Sequence, residues 1–99
     1  MDRLSFETGR VVLSTQGRDE GRAFVILSVL DDQFVLMADG LTRKLEHPKK
    51  KKITHLKPKP VRMDNLEALR AANTLQDASI RKFLNENGLG IDQPLCKED

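Results

Sequence analysis

GRVVLSTQGRDEGRAFVIL, residues 9–27, is an apolar run, a polar bend with glycines at 17 and 21, and a second, longer apolar run. Valine, isoleucine and phenylalanine favour pleated backbone, and glycine takes the positive φ that a tight bend demands. The stretch predicts two antiparallel strands, Arg10–Ser14 and about Ala23–Leu30, joined by a loop carrying Arg18 and Arg22. Around this pair the rest of the fold is built.

Downstream, Asp31–Asp32 reads as a turn, because aspartate side chains hydrogen-bond nearby backbone amides. A third strand is predicted over Phe34–Ala38. Asp39–Gly40 between apolar runs is a two-residue hairpin signal, so Leu41–Leu45 is predicted as strand four, with a short fifth strand near Ile53–Leu56. Four to five short strands joined by tight turns predict a small, strongly bent barrel. VVL and AFVIL are apolar at consecutive positions, so part of the second face should be covered as well. Upstream, residues 1–8 form a lead-in whose Leu4 and Phe6 can lie against the core edge.

The stretch KPKP (57–60) reads as an extended linker out of the barrel. DNLE (64–67) has the form of a capping box and opens a helix to about Ala72. TLQD (74–77) repeats the signal for a second helix, which ends near Asn87 with Gly88 as its terminator. Leu75, Ala78, Ile80, Phe83 and Leu84 fall at helical spacing and predict packing on the barrel. The organisation expected is mainly β with C-terminal α: a barrel over residues 1–60, a packed helical pair over 61–88, and a flexible tail over 89–99.

The formal net charge is only +2, but it is unevenly distributed. Residues 41–62 carry net +8, and the segments on either side carry −3 each. Such a concentrated block points to a localised contact with a polyanion. Its cations are Arg43, Lys44, Lys49, Lys50, Lys51, Lys52, Lys57, Lys59 and Arg62, with His55 among them; held on one face they would neutralise several phosphates. Arg10, Arg18 and Arg22 cluster around the first bend, where the guanidinium fork can grip phosphate. Asp19 and Glu20 between them offer local ion pairing as the alternative. With four phenylalanines and neither tryptophan nor tyrosine, the chain lacks a base-stacking platform, which favours backbone and shape contacts on structured RNA.

Catalytic chemistry is not expected. Ser14, Ser28 and Ser79 sit in no nucleophile-elbow context, and the glycines do not form a GxxxxGK[ST] phosphate loop. His47 and His55 have no partner cysteine pair, so neither metal nor cofactor is expected. The lone Cys96 cannot make an internal disulfide, in keeping with a reducing compartment. MDRLSFETG lacks a signal-peptide core and no apolar run reaches bilayer length. A cytoplasmic monomer is expected, without membrane or small-molecule substrate.

GRVVLSTQGRDEGRAFVI resembles the KOW motif, and VLMADGLTRKLEHPKKKKITHL (35–56) is similar to the continuation in KOW-type large-subunit ribosomal proteins of archaea and eukaryotes. The GRD-x-GR loop, the DG-x-x-RK segment and the lysine-rich His-Leu ending carry the likeness over about residues 8–60. Small bacterial KOW-domain RNA-binding proteins are the suggested grouping. The resemblance implies an SH3-like barrel, binding of structured RNA, ribosomal RNA foremost, and a link to the large ribosomal subunit or translation. By position Gly21 is the motif's characteristic glycine, beside Gly17 and Gly40. Arg18 and Arg22 are its loop cations, and Arg43, Lys44 and Lys49 to Lys52 form the later RNA-facing set. The second reading is a protein-interaction module for an acidic partner or a transcription or translation factor, since SH3-like barrels also bind peptides.

Overall fold

The computed structural model describes residues 5–17 and 19–89. Arg18, Leu4, Cys96 and most of the expected tail lie outside that range. Five strands, β1 (Arg10–Ser14), β2 (Ala23–Val29), β3 (Phe34–Ala38), β4 (Lys49–Lys52) and β5 (Leu56–Arg62), form one antiparallel sheet in the order β4-β3-β2-β1-β5. Two helices follow, α1 (Leu66–Ala71) and α2 (Asp77–Glu86).

The two edge strands are consecutive in the chain, and this forces the sheet to curl. A flat five-stranded sheet would hold its edges about 19 Å apart, four spacings of ~4.8 Å. Only the 3-10 turn Ile53–His55 joins β4 to β5, and such a turn rises about 2 Å per residue. The sheet therefore rolls into the expected small SH3-like barrel.

Strand alternation then creates two cores. Val12, Phe24, Ile26, Val35, Met37 and Leu56 fill the inside of the roll, with Phe6 and Ile53 against them. Val11, Ala23, Val25, Leu27 and Ala38 face outward and meet Met63, Leu66, Ile80 and Leu84 from the helical segment. Both faces of β2 are thus buried, which is why AFVIL lacks alternation. A bulge between Ile26 and Ser28 interrupts the β2–β3 register. Arg70 of α1 donates to the Leu27 carbonyl at that point, supplying a partner where the ladder is irregular.

The Asp31 turn forms as expected. Its carboxylate accepts the amides of Gln33 (2.8 Å) and Phe34 (2.9 Å), and these bonds, Gln33's foremost, hold its carboxyl below the usual range. Four other expectations fail. Leu41–Leu45 is not a strand, and Asp39–Gly40 is not a hairpin turn. The Asp39 carboxylate accepts the amides of Leu41, Thr42 and Arg43 at 2.8–2.9 Å, so the chain coils around that side chain and those donors never reach a ladder. Strand four is the lysine run itself, at the sheet edge, where lysine stems lie along the strand while the ammoniums reach outward. Ile53–His55 is a 3-10 turn rather than a strand, Leu56 opens β5, and KPKP is no linker but lies within that strand. Proline lacks a ladder donor and is tolerated because β5 is an edge strand, with a register shift between Arg10 and Val12 on its partner.

The helices start later than predicted. The N-cap of α1 is Asn65, one residue past Asp64, without a side-chain cap bond. In α2 the capping box is formed by Gln76 and Ser79, not Thr74 and Asp77. Of the expected stripe, Ile80 and Leu84 are buried and Leu75 and Phe83 pack beside them, whereas Ala78 is exposed. Gly88 takes φ 72° just past the C-cap Asn87, and Leu89 packs against the outer core.

Candidate nucleic-acid interface

The first loop is wound by its own backbone. Gly21 donates to the Ser14 carbonyl (2.8 Å), Arg22 to that of Asp19 (3.0 Å) and Glu20 to that of Gly17 (3.2 Å). Closing so short a circuit requires left-handed backbone at Gly17 (φ 85°) and Gly21 (φ 87°), which glycine adopts without strain.

Two cations reach this loop from different directions. Lys51 Nζ on β4 donates to the Gln16 carbonyl at 3.0 Å. Arg43, from the coiled segment after β3, donates to Asp19 Oδ2 at 3.0 Å. Asp19 is buried, and a buried carboxylate is tolerable only when paired. The ion pair also removes an acid that would otherwise repel phosphate at the mouth of the loop.

Arg43 is itself held in place. Its amide donates to Asp39, its carbonyl accepts from the amides of Asp39 and Gly40, and its Nε is buried without a hydrogen-bond partner. Thr42 Oγ1 donates to Asp39 Oδ2 at 2.8 Å. Helix α2 fastens the same segment: the Leu45 amide donates to Asp77 Oδ1 (2.8 Å), and Arg81 donates to the Gly40 carbonyl (2.6 Å). The sequence reading missed Asp39, Asp77 and Arg81 as positioning groups. The D-x-x-T spacing of Asp39 and Thr42 is a signal for side-chain capping, but nothing local marks helix residues more than thirty positions away.

The remaining candidates are scattered around the barrel. Lys49 and Lys51 are half-buried, and Lys50 and Lys52 are exposed. Lys44 is exposed in the coiled segment, Arg22 is half-buried, and His55 is half-buried with its carbonyl accepting the Thr15 amide at 2.9 Å. Lys57 is exposed on β5 and Lys59 half-buried. Arg10 stands apart from the others: its guanidinium donates to the Ser5 and Lys59 carbonyls and to Glu7 Oε2, tying the lead-in to β5. Arg62 pairs with Glu7 (3.3 Å) and Asp64 (2.8 Å). The Ser5 hydroxyl, and after it Arg10, hold the Glu7 carboxyl below its usual range. Structure thus brings Arg43 and Lys51 to the first loop, and leaves Arg10 committed to internal bonds.

Among the described residues no helix is long and apolar enough to cross a membrane, and no three His, Cys, Asp or Glu side chains are grouped to hold a metal ion.

No protein-family model matches the chain. Curated relatives do. The large ribosomal subunit protein eL14 of Aeropyrum pernix is 31% identical over 87 residues, covering 84% of this chain and 77% of the relative. The eL14 proteins of Desulfurococcus amylolyticus and Hyperthermus butylicus are each 29% identical, covering 86% of this chain and 82% and 81% of their own lengths. Alignments of 85 to 89 residues extend well past residues 8–60, so the likeness takes in the helical segment too. These relatives are archaeal, and the bacterial grouping expected from the sequence finds no support among them.

Proposed function

Because the chain belongs to the eL14 family of large ribosomal subunit proteins, we propose that it is a non-catalytic component that binds ribosomal RNA within or upon the large subunit. The observation that carries this reading is the β3–β4 register, which lays four lysines along an open sheet edge beside a loop whose buried acid is already paired. Each ammonium that meets a phosphate releases condensed counterions, so binding should be sequence-tolerant and steeply salt-dependent. In this reading the protein is a cytoplasmic monomer, and the barrel carries the contacts while α2 braces the segment after β3. Lys44, Lys49 to Lys52 and the cations of the first loop make the contacts; Arg10 and Arg43 act by holding the surface in shape.

Crosslinking followed by capture, with and without ribonuclease, tests this directly. Ribosomal RNA should be recovered, and protein partners should vanish after nuclease treatment. Partners that persist would establish the protein-interaction reading instead.

The Arg43–Asp19 pair gives a prediction with an unexpected sign. Asp19→Ala removes a negative charge from a polyanion-binding protein, and simple Coulomb reasoning predicts tighter binding. We expect binding weakened about fivefold, because the first loop loses an anchor of roughly 1 kcal/mol. Fluorescence anisotropy on a ribosomal RNA fragment, with the fold checked by circular dichroism, decides the matter. Tighter binding would mean that Arg43 contacts RNA rather than positioning the loop.

A further inference from the structure

The sequence invites a picture of the lysine run as one positive face, but the register divides it between two. In an antiparallel pair, residues directly opposite share a face, and successive residues alternate. Lys51 and Lys49 stand opposite Val35 and Met37, both wholly buried inside the barrel. These lysines therefore leave the strand on the inner side, toward the first loop, where Lys51 meets the Gln16 carbonyl. Lys52 and Lys50 stand opposite Phe34 and Leu36 and leave on the outer side, where Lys50 Nζ lies 4.8 Å from the centre of the Phe34 ring. Since β4 is the last strand of the sheet on this side, its edge is open to a partner, with Lys50 and Lys52 exposed on one side of it and Lys49 and Lys51 half-buried on the other. Asp31 lies close enough to Lys50 to interact with it, but its carboxylate is bonded to the Gln33 and Phe34 amides. A single row of phosphates passing along one face would meet only half of the ammoniums.

We infer that β4 is a wedge between two RNA backbone segments, with Lys49 and Lys51 neutralising one and Lys50 and Lys52 the other. The inference rests on the RNA-binding reading above and names its target class: a junction of packed helices, where two polyanionic backbones run side by side. Such backbones repel one another, and a strand with cations on both faces relieves that repulsion at the point of closest approach. A lone single strand offers only one row of phosphates.

The test compares a synthetic four-way RNA junction with poly(U) across a salt series by fluorescence anisotropy. The double variants Lys50→Gln/Lys52→Gln and Lys49→Gln/Lys51→Gln should each weaken junction binding about tenfold and flatten its salt slope by about 2. On poly(U) only one of the two pairs should matter. Arginine at the same four positions should preserve junction binding, which separates loss of charge from loss of fold. If one pair is silent on the junction, the wedge is wrong while RNA binding stands. If the wild-type chain binds neither RNA, or binds polyglutamate in their place, the RNA reading fails and takes the wedge with it.

Discussion

Replacing Lys49, Lys50, Lys51 and Lys52 together by glutamine should lower affinity for ribosomal RNA by at least about a hundredfold at moderate salt. The slope of log affinity against log salt should fall by about 3 to 4, one lost counterion release for each phosphate no longer neutralised. Stability should barely change. Lys50 and Lys52 are exposed and none of the four ammoniums makes an ion pair among the described residues, while glutamine keeps much of the stem that lies along the strand. Relief of repulsion among four neighbouring cations offsets the lost cation–π contact of Lys50 with Phe34 and the lost Lys51 bond to the Gln16 carbonyl. Salt-dependent titration with a parallel thermal melt reads both quantities. Unchanged affinity with an unchanged melt would remove the lysine strand from the interface.

Gly40→Ala should act in the opposite way, through stability first. Gly40 has φ 76°, and a β-carbon there would lie 2.3 Å from the Asp77 carbonyl oxygen and 3.1 Å from Arg81 Cγ. The left-handed backbone alone costs an L-residue about 1–2 kcal/mol, and a contact of that length with helix backbone cannot be relieved by rotating a side chain. Either α2 withdraws, loosening the Arg81 and Asp77 bonds to this segment, or the segment shifts and carries Arg43 away from Asp19. A loss of about 3–4 kcal/mol is expected, a large share of the margin of so small a domain, and with it a fall in Tm of more than about 10 °C. Gly21→Ala is the internal control. Its φ is 87°, but nothing lies within 4 Å of the added carbon, so only the backbone cost of about 1–2 kcal/mol applies. Equal melting temperatures for the two variants would refute the packing of Gly40 against α2.

These two glycines also mark where the sequence was legible and where it was not. The first hairpin, the Asp31 turn and β3 could be read directly, because each depends on neighbours in the chain: β-branched runs, two glycines, and an aspartate two residues before the amide it captures. The segment from Asp39 onward was misread because its backbone donors turn to the Asp39 side chain, and because the groups that fasten it, Asp77 and Arg81, come from a distant helix. The lysine run and KPKP were misread for a related reason. Lysine and proline are poor strand formers on average, and only an edge position makes them admissible; edge position is a property of the whole sheet. The expected binding class is independent of these errors, because it rests on the charge of residues 41–62, which does not depend on the backbone they adopt. The division of the lysines between two faces does depend on it, and required the register.

The central claim is that this chain joins the large ribosomal subunit through phosphate contacts made by β4. Fractionation of ribosomes on a density gradient at low and high salt, with the wild-type chain and the four-lysine variant side by side, tests it most directly. The wild-type chain should sediment with the large subunit at low salt and leave it as salt rises, and the variant should remain at the top of the gradient throughout. A wild-type chain absent from the large-subunit fractions at low salt, or a variant that stays bound to the same salt concentration as wild type, would contradict it.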